Sequence, residues 1–307
     1  MGDAKAAQFQ STTLADFAEV ARPAVEIRDR ETDATLDLRS LPVEVRRRLR
    51  ALETDVVAQN SATALASIEL RPGSYPRTQH GFVVIGPRVI NPVRSNARRI
   101  FRDNLDHGGR WYGPWWQNIP SAARKALLID DQTTAEVDFS ACQLRLAHAV
   151  LGLPDPMRGQ VDSRDHRIEL YGMPDVQRSA AKSAVLIMLN ARDGPAAVKA
   201  LANQLIEGDS VPVGCTAHEE ARRVVDAVVR HFPELAPLWF SDLGLQLQRI
   251  DGDICADVQA VFRHDKVVVL SIHDSFIIAA QYEERLRRVM AEAFASGMMA
   301  AQKLRRA

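Results

Sequence analysis

The sequence has no apolar run approaching the roughly 18 to 20 residues of a bilayer-spanning helix, so no membrane span is expected. Its first residues, MGDAKAAQFQ, lack the basic start and apolar stretch of a secretory signal and do not read as a myristoylation site, which predicts a cytoplasmic protein. Cysteine is scarce: Cys142, Cys215 and Cys255 lie far apart and form no CxxC pair. That spacing argues against a disulfide framework and a structural zinc site and predicts reduced, mostly buried thiols, with Cys142 serving as packing. No internal repeat and no low-complexity tract is found, which sets aside repeat architectures. Net charge is also missing, because 39 lysines and arginines balance 39 aspartates and glutamates, so the total names no polyanionic partner.

What is present is the composition of an ordinary globular protein, 46% hydrophobic and 25% charged, over 307 residues. That length suits one large domain with an appendage or two closely packed lobes. The charge is unevenly placed. From Arg71 to Lys125 stand Arg71, Arg77, Arg88, Arg94, Arg98, Arg99, Arg102, Arg110, Arg124 and Lys125, against only Asp103 and Asp106. Trp111, Trp115, Trp116, Tyr112 and Phe101 are interleaved with them. Such a stretch suits a surface that neutralises phosphates and stacks bases, or else a solvated charged face over a tryptophan-rich corner of the core.

The first forty residues are polar, DRETDATLD reads as an exposed linker, and a loosely held N-terminal end is expected. From Pro42 to about Leu70 the apolar spacing predicts an amphipathic helix with a basic face at Arg46, Arg47, Arg48 and Arg50. RPGSYPR breaks it, GFVVIG suits a strand, and Asn91-Pro92 opens a predicted helix running through Ile100 to Asn104. Gly108, Gly109, Gly113 and Pro114 then bracket a turn-rich aromatic segment. TTAEVDFS reads as a strand delivering Asp138 to its C-terminal end, followed by the helix ACQLRLAHAVLG. Helices follow over Val176 to Asn190, from Asp193-Gly194-Pro195 through Ile206, and over HEEARRVVDAVVRHF. KVVVLSIHDSFIIAA is two β-branched runs meeting at His273-Asp274-Ser275, a hairpin pattern, and the remainder is helical.

Asp138 and Asp274 are each flanked by apolar strand residues, Val137 and Ile272, which places both at the rim of a sheet. Two carboxylates on adjacent strands suit a pair of divalent ions about 4 Å apart for phosphoryl transfer. Taken singly, each aspartate reads better as a turn cap. Arg178 and Lys182 share a helical face, continued by Leu186 and Asn190, and would grip a triphosphate whose metal-bound oxygens face the aspartates. On spacing alone, a solvated basic turn is the better reading of that pair.

Motif order sharpens this reading. DFSACQLRLAH resembles motif A of the family A DNA polymerases, with Asp138, Phe139, Ser140, Leu144 and Arg145 in the matching places and His148 beyond. GGRWYGPWWQNIP looks like the segment preceding that motif, including Arg110 and the run Gln117-Asn118-Ile119-Pro120. RSAAK fits motif B, and SIHDSF resembles motif C, its serine after the aspartate being closer to the phage-type single-subunit RNA polymerases. The resemblance covers about Gly108 to the C-terminus. It implies Asp138 and Asp274 as ligands of two Mg2+ or Mn2+ ions, Arg178 and Lys182 as triphosphate contacts, and Lys182 as proton donor to the leaving group. It further implies Arg110, Gln117, Asn118, Arg145, Gln246 and His273 as nucleic-acid contacts. Gln143 stands where the DNA enzymes carry a gating glutamate, and Asn190 where the family has a sugar-sensing tyrosine, so both fall in the nucleotide site. His273, Gln246 and the nearby Asp253 are also explained as structural or solvated polar residues.

The expected fold is α+β, a polymerase palm with a small antiparallel sheet, reduced helical fingers and a helical, basic, thumb-like region over residues 1–107, the catalytic region spanning 108–307. The distance between motifs A and C is short for the family, and the chain before Gly108 is too short for a proofreading domain plus a full thumb. Low processivity or a processivity partner follows. The expected activity is template-directed transfer of deoxynucleoside triphosphates to the primer 3′ hydroxyl of a DNA primer–template, with RNA as a possible partner. An RNA polymerase or primase-like enzyme is the catalytic alternative, supported by Asn190 and HDSF. A palm-derived nucleic-acid-binding module without catalysis is the other, supported by the altered motif B.

Overall fold

Exposure that gives way to burial only at Val137 along Gln132–Asp138, and complete burial of Ser275–Ala279, mark two strands with different surroundings, the second covered on both faces. These strands anchor an α+β fold. The computed structural model describes residues 22–159, 161 and 170–305, and the expected loose segment at residues 1–21 lies outside the described residues. In chain order the elements are β1 (Val25–Arg28), α1 (Val43–Thr63), β2 (Ile68–Leu70), β3 (Val83–Ile85), β4 (Arg88–Ile90), β5 (Arg98–Arg102), β6 (Asn104–Tyr112), α2 (Ser121–Arg124), β7 (Leu127–Ile129) and β8 (Gln132–Asp138). There follow α3 (Cys142–Val150), α4 (Arg178–Asn190), α5 (Gly194–Glu207), α6 (Ala217–His231), α7 (Gly244–His264), β9 (Val269–Ile272), β10 (Ser275–Ala279) and α8 (Glu283–Leu304).

The described residues form three sheets: β1-β5-β6, β2-β7-β8-β10-β9 and the two-stranded ribbon β3-β4. In the five-stranded sheet β10 pairs antiparallel with both β8 and β9. Its residues alternate between two cores. Phe276 and Ile278 join the main core with Val137, Phe139 and residues of α3, α4, α7 and α8. Ile277 points into a second core with Trp115, Trp116, Ile85, Ile90 and Leu270. The helices α4, α5 and α6 pack on one another, while α7 and α8 back the sheets. No described helix is long and apolar enough to cross a membrane.

Several expectations need correction. The helix predicted from Asn91 to Asn104 is instead a turn and irregular chain over 91–97, then the strand β5 and its turn into β6. RRIFR buries Arg99 and Phe101 on one face, so an arginine hides the inward half of a period-two pattern. Gly108 and Gly109 are not loop glycines but sit within β6 at a register irregularity opposite Ile100 and Phe101. Gly109 has φ +82, and a Cβ there would meet the Phe101 ring at 2.5 Å, so both conformation and packing require glycine. The helix expected to reach Leu70 ends at Thr63, because Ile68–Leu70 pairs with β7. The N-terminal region is accordingly not all helical, and the boundary between 107 and 108 falls inside β6. DRETDATLD is exposed for the most part but folded back, with Thr35 bridging Arg28 and the Asp29 carboxylate accepting from the amides of Glu31 and Thr32.

Candidate active site

Asp138 is the last residue of β8 and lies opposite Ser275, the first of β10. The Phe139 amide donates to the Asp274 carbonyl at 2.9 Å, which carries the pairing one step past the strand end. Since adjacent strands run about 4.8 Å apart, the two aspartates are neighbours across a two-residue step. Their placement is rigid: Val137 and Phe276, opposite one another behind them, are 0% and 1% exposed. The hairpin tip is His273-Asp274, and His273 takes φ 53, the positive value such a tight tip demands at its first position.

Both aspartates line a cleft of about 700 Å³ together with Glu136, His273, Arg124 and Lys125. Glu136 is engaged on two sides, by Arg124 at 2.7 Å and by the Ser275 hydroxyl at 2.8 Å. Asp138 also lines a second cleft, of about 210 Å³, with Ser140, Tyr171, Arg178 and Lys182. Arg178 and Lys182 occupy the first turn and a half of α4, both exposed, and the Arg178 guanidinium lies 5.7 Å from the Tyr171 ring centre. The helix N-terminus adds its own positive field at that point. Two cations and one carboxylate of the expected set therefore share a pocket, and the second carboxylate adjoins it.

Behind Asp274 stands a buried polar group that the sequence motifs did not mark. The Arg110 Nε donates to Asp251 at 2.5 Å, and the Cys142 thiol approaches the same carboxylate at 3.8 Å. Asp251 is 2% exposed; burial raises its pKa, Arg110 opposes that, and the negative charge of Asp274 adds to it. Burial by itself works against the Arg110 charge, but Asp251, Asp274 and Cys142 together raise its pKa. The Cys142 thiol is pushed well up, first by burial and then by Asp251 and Asp274, so it stays protonated. His273 is shifted down by burial and by Arg110, against the opposing pull of Asp274. It is neutral at pH 7, packs edge-on to Tyr112 at 5.4 Å, and its Nδ1 is buried without a hydrogen-bond partner among the described residues. A legible signal for Asp251 did exist: Leu247, Ile250, Ile254 and Val258 form the apolar stripe of α7, and Asp251 falls on it at four residues from Leu247.

The other expected contacts sit elsewhere. Arg145 is 1% exposed, clasps Asp155 through two bonds of 2.9 and 2.8 Å, and stacks at 3.9 Å on the Phe294 ring, so it is a core ion pair and not a surface for nucleic acid. Gln117 uses both ends of its amide internally, donating to Trp111 and Ser271 carbonyls and accepting from the Gly113 amide. Trp111, Trp115 and Trp116 are 1%, 2% and 3% exposed, which removes them as stacking platforms and makes them core. Asn190 turns back to the Leu186 carbonyl at 2.7 Å and abuts Gly244, where a Cβ would come within 2.1 Å of it. Gln143 is buried, its Oε1 without a partner among the described residues, and Gln246 is half-buried in the first turn of α7. Asn118 is exposed, but on a separate groove with Arg88 and Arg94.

No protein-family model matches the chain, and no curated protein matches it. Among the described residues no three His, Cys, Asp or Glu side chains converge as a preformed metal cage. Magnesium does not need one, since it is commonly held by one or two carboxylates with water and substrate phosphates completing its octahedron. Two carboxylates at the mouth of a shared cleft, with cations on the far side, fit that donor set.

Proposed function

We propose that the chain is a template-directed nucleotidyltransferase on a polymerase-type palm, transferring nucleotides to the 3′ hydroxyl of a nucleic-acid primer. The observation that carries this reading is the position of Asp138, shared between the cleft of Asp274 and the pocket of Arg178 and Lys182. A triphosphate lying in that pocket has its charge met by Arg178 and Lys182, while its reacting phosphate faces the two carboxylates. Two divalent ions, Mg2+ or Mn2+, would be held by Asp138 and Asp274 and would supply charge neutralisation at the attacking and leaving oxygens. Lys182, exposed on α4, is the side chain placed to give a proton to the departing pyrophosphate. Arg178 stays charged throughout and binds the triphosphate in ground and transition states alike. Arg110, paired with Asp251, presents fixed positive charge behind Asp274.

The choice of sugar is open to a second reading, favoured by one observation. Asn190 packs against Gly244 and lines neither cleft, so the wall that senses the sugar in the DNA enzymes is not supplied from that position. Ribonucleotide use is then the alternative to deoxynucleotide use.

Extension of a labelled primer on a DNA template, with magnesium or manganese and each nucleotide set in turn, tests both. Parent protein is expected to extend the primer, and Asp138→Asn or Asp274→Asn to lower the rate by about a hundred-fold or more, since removing one ligand forfeits several kcal/mol of charge stabilisation. Tight binding of the duplex without extension by the parent would return the chain to the non-catalytic alternative.

A further inference from the structure

Between Glu69 and Asp103 the chain contains seven arginines and no acidic residue. Three of the seven are neutralised from a distance: Arg98 by Glu26 at 3.4 Å, Arg99 by Asp253 at 2.9 Å, and Arg102 by Asp33. The other four, Arg71, Arg77, Arg88 and Arg94, are exposed and have no carboxylate partner among the described residues. Arg77 and Arg88 bond only to main-chain carbonyls, of Gly81 at 3.2 Å and Asn118 at 2.9 Å, contacts that orient a guanidinium without cancelling its charge. Arg77 bridges Val83 of β3, Arg88 opens β4, and Arg94 follows β4 by four residues.

Beside the ribbon runs a groove of about 560 Å³ whose lining includes Arg88, Arg94, Asn91 and Asn118 and no acidic residue. It is a built surface. Its floor is Ile90 and Trp115, 8% and 2% exposed, and the Trp115 amide donates to the Arg94 carbonyl at 2.7 Å, fixing Arg94 to the turn that carries Asn118. That turn is tied to the aspartate hairpin: the Trp116 indole and the Gln117 amide both donate to the carbonyl of Ser271, three residues before Asp274. A few residues further along, Ser121, Arg124 and Lys125 line the aspartate cleft itself. The groove and the cleft thus flank one short stretch of chain.

We propose that the β3–β4 ribbon and its groove bind the sugar–phosphate backbone of a nucleic-acid strand that continues out of the aspartate cleft, through Arg88 and Arg94. A guanidinium held by the Asn118 carbonyl at Arg88 and a second arginine anchored through its backbone at Arg94, with the amide side chains of Asn91 and Asn118 beside them and no acidic neighbour among the described lining residues, suit phosphates in a row and read no base sequence. The assignment of that strand to the primer–template duplex rests on the polymerase reading; the backbone binding does not.

The test is fluorescence anisotropy of a labelled primer–template duplex titrated with the full chain over a series of salt concentrations. For Arg88→Ala/Arg94→Ala we expect affinity to fall at least about ten-fold near 0.1 M salt, and the slope of log K against log salt to shrink by about 1.8, or about 0.9 for each phosphate no longer neutralised. Arg222→Ala/Arg230→Ala removes the same charge from α6 and is expected to leave the slope unchanged, while thermal melts confirm that both pairs fold. Parental affinity and slope in the ribbon variant would overturn the inference, as would an equal loss in the α6 variant, or polyglutamate binding that needs Arg88 and Arg94 when duplex binding does not. Primer extension on the same proteins separates the two claims. A parent that binds through the ribbon but never extends a primer keeps the backbone site and loses the polymerase. A parent that extends, with binding untouched by the ribbon substitutions, loses only the backbone site.

Discussion

At the scale of single residues, the molecule uses its charges mostly on itself. Arg99, Arg102, Arg110, Arg124 and Arg145 each meet a carboxylate of the chain, and Arg145 does so at 1% exposure. A buried pair of this kind contributes little compared with an apolar replacement, but breaking it leaves a charge without a partner in a medium that solvates it poorly. Asp251 is the instructive case, because Arg110 is only 20% exposed and has Asp251 as its carboxylate partner at 2.5 Å. Asp251→Ala is therefore expected to lower stability by about 3–5 kcal/mol in urea unfolding, and Asp251→Asn, which keeps the shape and an acceptor oxygen, by less. Equal losses for the two would mean that the cavity, and not the orphaned guanidinium, sets the cost.

Among elements, α4 is the one whose placement matters most to the candidate site, since its first turns carry Arg178 and Lys182. Its other end is held by the segment ahead of α7. The amides of Phe240 and Asp242 donate to the carbonyls of Met188 and Ala191, at 2.8 and 3.1 Å. Phe240 adopts φ 61 to do this, a conformation that costs a bulky side chain about 1–3 kcal/mol and persists only where surrounding contacts impose it. One such contact comes from the far side of the sequence: Arg30, on the arm after β1, grips the Asp242 carboxylate through both of its terminal nitrogens. The pair is about a quarter exposed, so its worth is about 0.5–1 kcal/mol. Arg30→Ala is expected to speed hydrogen exchange of the Phe240 and Asp242 amides about two- to five-fold and to leave α8 unchanged. Unaltered exchange at those amides would show that packing alone holds the cap.

For the whole molecule, the two cores share the β9–β10 hairpin and cannot be separated along the chain. β6 spans residues 104 to 112 and joins the N-terminal sheet on one edge while lying against α7, with the Trp111 indole donating to the Gly252 carbonyl at 3.0 Å. Gly252 permits this approach, since a Cβ there would lie 2.3 Å from the Gly109 carbonyl oxygen. A fragment of residues 108–307 cuts β6 in its middle and removes β5, its partner. Such a fragment is expected to lack a cooperative thermal transition, whereas the full chain melts with one; circular dichroism of the two distinguishes them, and a sharp transition in the fragment would restore the boundary at 108.

Local pattern was sufficient for much of this. The strand ending at Asp138, the hairpin around Asp274 and the helices from α3 to α8 are written in short-range periodicity and turn chemistry, which depend only on neighbours in the chain. The same holds for Arg178 and Lys182, whose spacing by four places them on one helical face wherever the helix goes. Long-range pairing is another matter. That β8 lies against β10, that Arg99 finds Asp253 at 154 residues' distance, and that Arg110 finds Asp251 at 141, are decided by tertiary packing. A charged residue in a sequence carries no mark of whether a partner awaits it, so the basic stretch from Arg71 to Lys125 looked uniform when it was not. Folding sorted it, burying Arg99 and the tryptophans and leaving Arg88 and Arg94 in the open, because only in three dimensions does a desolvated charge have to be met by another.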